Sequence, residues 1–277
     1  MPPSTKISGQ HVPRKRFGQN FLADQNILQK IVRAAELASS DVVLEIGPGM
    51  GHLTRVLADT HAQVAAVEVD RDLLKNLRTL FAETENVHLL EGDVLQQSPS
   101  EWLAQAGLNT PYSVVANIPY YITSAILRYL LEADNPPTRI VVMVQREVAQ
   151  HLIAQPPRAN LLGVSVQYYG VPRIVGVVPA GAFYPRPQVD SAIVRVDITH
   201  AREREQAARF FRIVRAGFGE KRKQLGNALA HGLALTVTES HWLLTRANIE
   251  PTRRAETLTV GEWEKLALVW HEKFSTD

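Results

Sequence analysis

The sequence predicts an α/β fold: a doubly wound, mostly parallel sheet with an antiparallel edge strand, followed by a small domain made only of helices. Short runs of valine, isoleucine and leucine alternate with helical patterns through the first two-thirds of the chain, as strands buried on both faces of a parallel sheet do. From about residue 200 the strand signal disappears. We therefore expect one domain over residues 1–199, with a basic leader at 1–33, and a helical domain over 200–277.

Strands of the parallel part are predicted at residues 42–46, 64–69, 87–90, 112–116 and 140–144. Helix start signals lie between them. Ser98 and Glu101 form a capping box with Pro99 at the first helical position, and Thr123 is placed to cap a helix over residues 125–131. This alternation predicts βαβ units and hence a sheet covered by helices on both faces.

The last strands and the C-terminal helices follow a different pattern. Two strands are predicted at residues 170–178 and 190–198, joined by a loop that contains several prolines, and this is consistent with an antiparallel pair at the sheet edge. Residues 202–217 are expected to form a basic helix. Thr259 and Glu262 form a second capping box, which predicts the start of another helix.

The composition excludes several kinds of chemistry. The chain of 277 residues has no cysteine, which rules out disulfides, zinc–thiolate sites and cysteine nucleophiles. Residues 1–16 lack the apolar core of a signal peptide, and the longest aliphatic run, residues 140–144, is far too short to span a bilayer. We expect a soluble cytoplasmic protein without a membrane partner.

Basic residues are concentrated in two segments, although the net charge is only +2. Residues 1–33 hold six lysines and arginines against one aspartate, and residues 202–223 hold eight against three glutamates. Such clusters suggest an anionic partner, although a solvated helix face would give the same pattern. The residues expected to contact phosphate are Arg14, Lys15, Arg16, Lys221, Arg222 and Lys223.

A glycine turn follows the first predicted strand and precedes a helix. It spans residues 47–51 with the spacing G-x-G-x-G, which differs from the G-x-G-x-x-G of dinucleotide-binding enzymes. Glycine at positions 47 and 49 permits a tight turn and a close approach of the backbone to a ligand, although a plain strand-to-helix turn would look alike. We expect Gly47 and Gly49 to contact a bound nucleoside.

Acidic side chains end the next two predicted strands. Glu68, 21 residues after Gly47, is placed to accept hydrogen bonds from both ribose hydroxyls, whereas Asp70 is expected to cap the next helix. Asp93 is placed to bond to an adenine amino group, although a surface turn would also suit an aspartate there. The glycine turn has no P-loop lysine, so a nucleoside without phosphates fits this edge best, and S-adenosylmethionine is such a ligand.

The most informative motif ends the fourth predicted strand: Asn117-Ile118-Pro119-Tyr120. The amine of adenine is a poor nucleophile because its lone pair is delocalised into the ring. The side-chain oxygen of Asn117 and the carbonyl of Ile118 would accept its two hydrogens and localise that lone pair. Pro119 restricts Ile118 to an extended conformation, and Tyr120 offers a face for stacking. The sulfonium methyl is already electrophilic, so we expect no metal.

A second aromatic wall is predicted in the loop that joins the last two strands. Phe183 would cover the other face of the target base and form a sandwich with Tyr120, because an enzyme that acts on a base must take it out of its stack. A core phenylalanine in a proline turn is the alternative interpretation.

These motifs, in this order over nearly the whole chain, resemble those of the ribosomal RNA adenine dimethyltransferases, and most of all the small-subunit (16S) type. The similar segments are residues 15–22, 45–51, 68–70, 92–93, 117–120, 183–191 and 251–256. The chain departs from the family pattern at Ile118, where leucine is common, and at Glu220, which interrupts an otherwise basic run.

The resemblance implies a reaction and a set of cofactor contacts. Two methyl groups would pass from S-adenosylmethionine to the N6 amine of each of two adjacent adenines, in a hairpin near the 3′ end of 16S rRNA within an assembling small subunit. The enzyme would act as a monomer. The leader residues Asn20 and Leu22 would close over the cofactor, and the remaining implied cofactor contacts are Gly47, Gly49, Glu68, Asp93 and Asn117.

Four other functions remain open at this point. Residues after Asn117 also resemble the related large-subunit rRNA enzymes. DNA adenine-N6 methyltransferases use a similar Asn-Pro-Pro-Tyr motif. The glycine turn with Glu68 would suit a nicotinamide-dependent oxidoreductase, and a non-catalytic assembly or transcription factor could retain the fold.

Overall fold

The computed structural model describes residues 19–199 and 202–274, and a seven-stranded sheet lies at its centre. Its strands are β2 (Val42–Ile46), β3 (Gln63–Glu68), β4 (Val87–Glu91), β5 (Ser113–Asn117), β6 (Arg139–Gln145), β7 (Gly170–Val178) and β9 (Ser191–Ile198). Two further strands, β1 (Phe21–Leu22) and β8 (Phe183–Tyr184), pair with each other in a separate two-stranded sheet.

The strand order in the large sheet is β4-β3-β2-β5-β6-β9-β7. The first five of these are parallel, and β9 runs antiparallel to both β6 and β7. The predicted fold class, a mostly parallel sheet with an antiparallel edge, is therefore confirmed. The strand order reverses between β2 and β5, which is where open α/β sheets form a crevice for ligands.

Seven helices accompany the described strands, and four more follow them in the C-terminal part. The first group is α1 (Gln25–Ala35), α2 (His52–Ala58), α3 (Arg71–Leu80), α4 (Pro99–Gln105), α5 (Thr123–Leu131), α6 (Arg146–Ile153) and α7 (Leu161–Gln167). The second group is α8 (Arg204–Phe218), α9 (Leu225–Gly232), α10 (Val237–Arg246) and α11 (Val260–Phe274). Both predicted capping boxes are present: Ser98 caps α4 and Thr259 caps α11.

The predicted cap at Thr123 is wrong. A 3₁₀ turn over Tyr120–Ile122 runs directly into α5, and the Thr123 N–H bonds to the Tyr120 carbonyl. Thr123 therefore adopts helical angles (φ −51°, ψ −50°) instead of the extended conformation that a capping residue needs. The helix begins at Thr123 itself, two residues before the predicted start.

Both faces of the sheet are buried, which explains the continuous apolar runs. Leu44 and Val142 belong to a hydrophobic cluster on one face, whereas their neighbours Val43 and Val141 belong to a second cluster on the other face. The second cluster includes Leu28, Ile31 and Val32 of α1. Alternating side chains of one strand thus enter two different cores.

The first cluster continues from the sheet into the C-terminal helices. Tyr168, at the end of α7, stacks on Phe210 of α8 with ring centroids 3.8 Å apart, and Trp263 of α11 is fully buried in the same cluster. The helical region is therefore joined to the sheet by a continuous core. The division at residue 199 remains a prediction, since no break in packing marks it.

Candidate functional site

A cavity opens at the carboxyl ends of β2, β3, β4 and β5. Most of the predicted site residues line it together: Asn20, Leu22, Gly47, Gly49, Glu68, Asp93, Asn117, Ile118, Pro119 and Tyr120. The structure therefore brings the glycine turn and the Asn117 motif into one crevice, although 70 residues separate Gly47 from Asn117 (117 − 47).

The glycine turn is tight, and the ring of Phe21 packs against it. Gly47 and Gly49 have φ values of 68° and 61°, a conformation that side chains with a Cβ rarely adopt. A Cβ at Gly49 would lie 3.1 Å from the ring of Phe21, so the leader strand packs directly on the turn. The Gly47 N–H donates to the Val67 carbonyl at 3.0 Å and ties the turn to β3.

Glu68 is the buried acid at the end of β3, with 4% of its surface exposed. Its two carboxylate oxygens accept hydrogen bonds from the backbone N–H groups of Gly49 (3.0 Å) and Asp70 (2.9 Å). Burial raises its pKa above the ordinary value, and these two N–H groups oppose the rise. A carboxylate has about four lone-pair sites, so Glu68 is able to accept a further hydrogen bond from a ribose hydroxyl. Asp70 caps α3, which confirms that part of the sequence prediction.

Asp93 lies at the end of β4 and begins a 3₁₀ turn, Val94–Gln96. One of its oxygens accepts from the Leu95 N–H at 3.0 Å. The side chain is exposed and lines the cavity. Asp93 is thus able to hold the turn and to contact a ligand, because its carboxylate has a second oxygen for a bound amine.

Glu45 is a cavity residue to which the sequence analysis gave no role. It lies on β2 with 1% of its surface exposed, and burial raises its pKa to about 8. Its Oε2 atom has no hydrogen-bond partner among the described residues. The carboxyl is therefore mostly protonated at neutral pH. In the sequence, a glutamate within an apolar strand was the feature that could have identified this site residue.

The Asn117 motif is held by residues far away in the chain. The Asn117 side-chain nitrogen donates to the Asn20 carbonyl at 3.2 Å, which leaves the side-chain oxygen as the free acceptor end of the amide. The Tyr120 hydroxyl and the Ser191 hydroxyl lie 2.6 Å apart. Ser191 is fully buried at the start of β9, and it therefore fixes the tyrosine ring at the cavity wall.

Phe183 is not brought into the cavity lining. It pairs with Leu22 across β1 and β8, is only 5% exposed and belongs to the hydrophobic cluster on the α1 side of the sheet. Side chains alternate along a strand, so the next residue, Tyr184, is the exposed one, at 67%. A stacking role for Phe183 stays a prediction, and in this structure the residue supports the leader strand.

Three further residues at the site were missed by the sequence analysis. His52 begins α2, lines the cavity and bonds to the Leu22 carbonyl. Tyr121 lines the cavity and is 64% exposed, and it follows the tetrad directly, so an aromatic pair was visible in the sequence. Ser191 and His52 carried no such signal, because their partners are distant in the chain.

The predicted phosphate contacts fall into two groups. Arg14, Lys15 and Arg16 lie outside the described residues. The second group, residues 221–223, is exposed in the turn between α8 and α9. Within it, Lys223 forms an ion pair with Glu220 at 2.9 Å, and the same contact lowers the Glu220 pKa. Glu220 therefore neutralises part of the basic turn.

The described residues contain neither a membrane-spanning helix nor a cluster of metal ligands. Between residues 19 and 274, leaving out the two that are not described, no helix combines the length and apolar character needed to cross a membrane. Over the same residues, no three histidine, aspartate or glutamate side chains gather as metal ligands would.

The sequence and the fold are similar to those of known RNA-modifying proteins. A family model described as ribosomal RNA adenine dimethylase matches residues 10–267. The protein named ribosomal RNA small subunit methyltransferase A of Dehalococcoides mccartyi is 50% identical over 261 residues, which cover 94% of this chain and 89% of that protein. The protein of the same name in Moorella thermoacetica is 42% identical and covers 92% of both chains.

Two solved structures extend the similarity to the fold. The 23S rRNA methyltransferase ErmE aligns with a TM-score of 0.71 at 28% identity, over 90% of this chain and 99% of that chain. A dimethyladenosine transferase from Plasmodium falciparum aligns with a TM-score of 0.75 at 24% identity, over 91% of this chain and 98% of that chain. At that identity the second similarity supports the fold alone.

Proposed function

The chain belongs to the ribosomal RNA adenine dimethylase family, and on that premise we propose that it dimethylates two adjacent adenines in small-subunit (16S) rRNA. The acceptor atom is the N6 amine of each adenine, in a hairpin near the 3′ end, and S-adenosylmethionine is the methyl donor. The names of the relatives at 50% and 42% identity support a small-subunit substrate.

One observation carries this proposal: the glycine turn and the Asn117 motif line the same cavity. A cofactor held on the turn would then lie beside an adenine held at Asn117. Proximity of this kind converts a reaction between two solutes into a reaction within one complex. Neither motif alone would indicate methyl transfer to adenine.

The residues at the cofactor end fit a nucleoside with a positively charged sulfur. Buried Glu68 keeps free lone pairs for ribose hydroxyls, and exposed Asp93 has an oxygen for the adenine amine. The turn at Gly47 and Gly49 exposes backbone to a ligand, since neither residue has a side chain to block it. When bound, S-adenosylmethionine supplies an electrophilic methyl group.

At the reacting end, two oxygen atoms accept hydrogen bonds from the amine. The Asn117 side-chain oxygen and the Ile118 carbonyl accept the two hydrogens of N6, so its lone pair is directed toward the methyl group. Asn20 prevents the Asn117 amide from turning, because its carbonyl already accepts from the amide nitrogen. Each transfer would leave S-adenosylhomocysteine and would be completed by the loss of one N6 proton to water. The singly methylated amine then has one hydrogen, and one acceptor suffices for it.

RNA docking is proposed for the exposed basic residues. Lys221 and Arg222 are exposed beside the paired Lys223, and Arg14, Lys15 and Arg16 add positive charge to the leader. These groups would position the substrate through its phosphates, while the cavity selects the base. Docking on a ribosomal particle requires no second subunit, and we propose a monomer that acts in the cytoplasm on an assembling small subunit.

The proposal is tested by offering three substrates to the purified protein with labelled S-adenosylmethionine: small-subunit particles, large-subunit rRNA and duplex DNA. We expect N6,N6-dimethyladenosine, identified by mass spectrometry, only in the 16S rRNA. The Asn117→Ala variant serves as the catalytic control and should transfer almost no label.

Other outcomes would support other functions. Label found only in large-subunit rRNA would favour the activity that the structural neighbour ErmE is named for. Label found only in DNA would reject an rRNA substrate. Calorimetric binding of NAD in place of S-adenosylmethionine would point to an oxidoreductase, and unchanged transfer by the Asn117→Ala variant would remove Asn117 from the mechanism.

A further inference from the structure

Residues 19–22 belong to the leader and are called the leader segment here. This segment contacts both ends of the cavity. Its Asn20 carbonyl accepts from the Asn117 amide at 3.2 Å, and the Phe21 ring packs on Gly49. The segment thus contacts both the glycine turn and the Asn117 amide.

The pairing that holds this segment is short. β1 has only two residues, and its register consists of Phe21 opposite Tyr184 and Leu22 opposite Phe183. A two-residue ladder provides little stability of its own, so side-chain contacts decide where the leader lies.

His52 supplies such a contact from the opposite side. It is the first residue of α2, directly after the glycine turn, and its Nδ1 atom lies 2.8 Å from the Leu22 carbonyl. A carbonyl oxygen only accepts hydrogen bonds, so Nδ1 carries the hydrogen and donates it. Half-buried His52 therefore ties the leader to the helix that begins at the cofactor turn.

We infer that His52 is a positioning residue, which holds the leader so that the Asn20 carbonyl keeps the Asn117 amide in its reactive orientation. Leu22, the acceptor, is two residues from Asn20, and within that distance a displacement of one carbonyl displaces the other. The inference rests on the proposed function, because it gives His52 a part in presenting Asn117 to the adenine amine.

The inference is tested with two substitutions at the same position in the full-length protein. His52→Ala removes the donor. His52→Asn restores one, because the asparagine Nδ2 atom lies at about the place of the imidazole Nδ1. The control is His61→Asn at the other end of α2: His61 is exposed with φ 64°, a conformation that asparagine tolerates.

Two readouts are compared. Hydrogen–deuterium exchange of the peptide that contains residues 19–22 reports on the leader without any methyl acceptor. We expect severalfold faster exchange of this peptide for His52→Ala alone. The kcat/KM for S-adenosylmethionine should fall about 3–10-fold in that variant, which corresponds to the free energy of one hydrogen bond. The His52→Asn and His61→Asn variants should stay within about twofold of the wild type.

Three results would overturn the inference. The first is that the peptide containing residues 19–22 exchanges its amide hydrogens at the wild-type rate in His52→Ala. The second is a His52→Asn variant as defective as His52→Ala in both readouts. The third is faster exchange throughout the sheet, with a lower Tm, which would show a general effect on folding. If the wild-type protein transfers no methyl group, the proposed function fails, and leader exchange still decides whether His52 holds the segment.

Discussion

The two ends of the cavity are built in different ways. At the cofactor end, the bonds of Glu68 join residues that are 19 and 2 positions apart, and both use backbone N–H groups. At the reacting end, the bonds of Asn117 and Tyr120 join residues that are 97 and 71 positions apart. The glycine turn and Glu68 thus belong to one βαβ unit, whereas the partners of Asn117 and Tyr120 come from distant parts of the chain.

The two ends should therefore respond differently to substitution. At the cofactor end, which is held by nearby backbone groups, substitutions should lower the affinity for the cofactor. At the reacting end, which is held by residues distant in the chain, substitutions should lower the rate of transfer. Part of that loss should come from residues outside the Asn117 motif. Each of the following four experiments tests one side of that contrast.

The largest expected effect is at Asn117. Asn117→Ala removes one of the two acceptors for the amine, which should lower kcat about 100–1000-fold while the affinity for S-adenosylmethionine changes little. Single-turnover transfer to small-subunit particles and calorimetry measure the two quantities. Asn227→Ala, at an exposed position on α9, is the control. An equal loss of cofactor affinity would break the contrast between the ends.

The next effect is at the cofactor end. Glu68→Gln replaces a carboxylate that bonds two N–H groups, and we expect the Kd for S-adenosylmethionine to rise about 10–100-fold, the value of a hydrogen bond to a charged group. At saturating cofactor kcat should stay within about threefold. Calorimetry and initial rates test this, with Glu91→Gln at the exposed end of β4 as control. A fall in kcat at unchanged Kd would contradict it.

A pH effect should also come from the cofactor end. The pKa of buried Glu45 is raised to about 8, so the folded protein binds a proton there that the unfolded chain releases above about pH 4.5. Unfolding free energy should therefore fall as pH rises from about 5 to 8, by up to about 1.4 kcal/mol per pH unit.

Denaturant unfolding of the wild type and of Glu45→Gln isolates this contribution. The glutamine side chain is neutral at every pH, so the variant should lack this part of the pH dependence, and the two curves should diverge toward pH 8. Parallel curves would show that Glu45 is ionised in the folded protein at neutral pH.

The smallest effect is expected at the long-range bond between Tyr120 and Ser191. Tyr120→Phe and Ser191→Ala each remove one hydroxyl of the same 2.6 Å contact. Each should lower kcat/KM about 2–10-fold, and the double variant should lose no more than either alone. Tyr129→Phe, which removes a hydroxyl bonded to the Gln97 carbonyl, is the control. Additive losses would mean that the two residues act independently.

The contrast also explains how far the sequence could predict the structure. The sheet and the capping boxes at Ser98 and Thr259 depend on periodicity and local spacing, which a sequence displays directly. The acids that end β3 and β4 were likewise placed correctly at the cavity, because strand ends of a parallel sheet share one edge.

One error has a local cause, whereas the omissions occurred where distant segments meet. The Thr123 cap failed because the turn after the tetrad continues into α5. Phe183 lies opposite Leu22 in the hydrophobic core of this structure, and its expected stacking on the target base stays a prediction. The partnership of Ser191 with Tyr120 could not be predicted, since neither residue type nor spacing specifies which of many serines will meet a given tyrosine.

The stacked rings of Tyr168 and Phe210 have a consequence for the molecule as a whole. The catalytic sheet and the C-terminal helices share a single interior, so heat or denaturant should melt them in one cooperative transition. A truncated enzyme that ends before α8 would expose the rings of Tyr168 and Tyr169, which follow α7, to water and be prone to aggregate. In this protein, the C-terminal helices therefore help to support the sheet at whose edge the cavity lies.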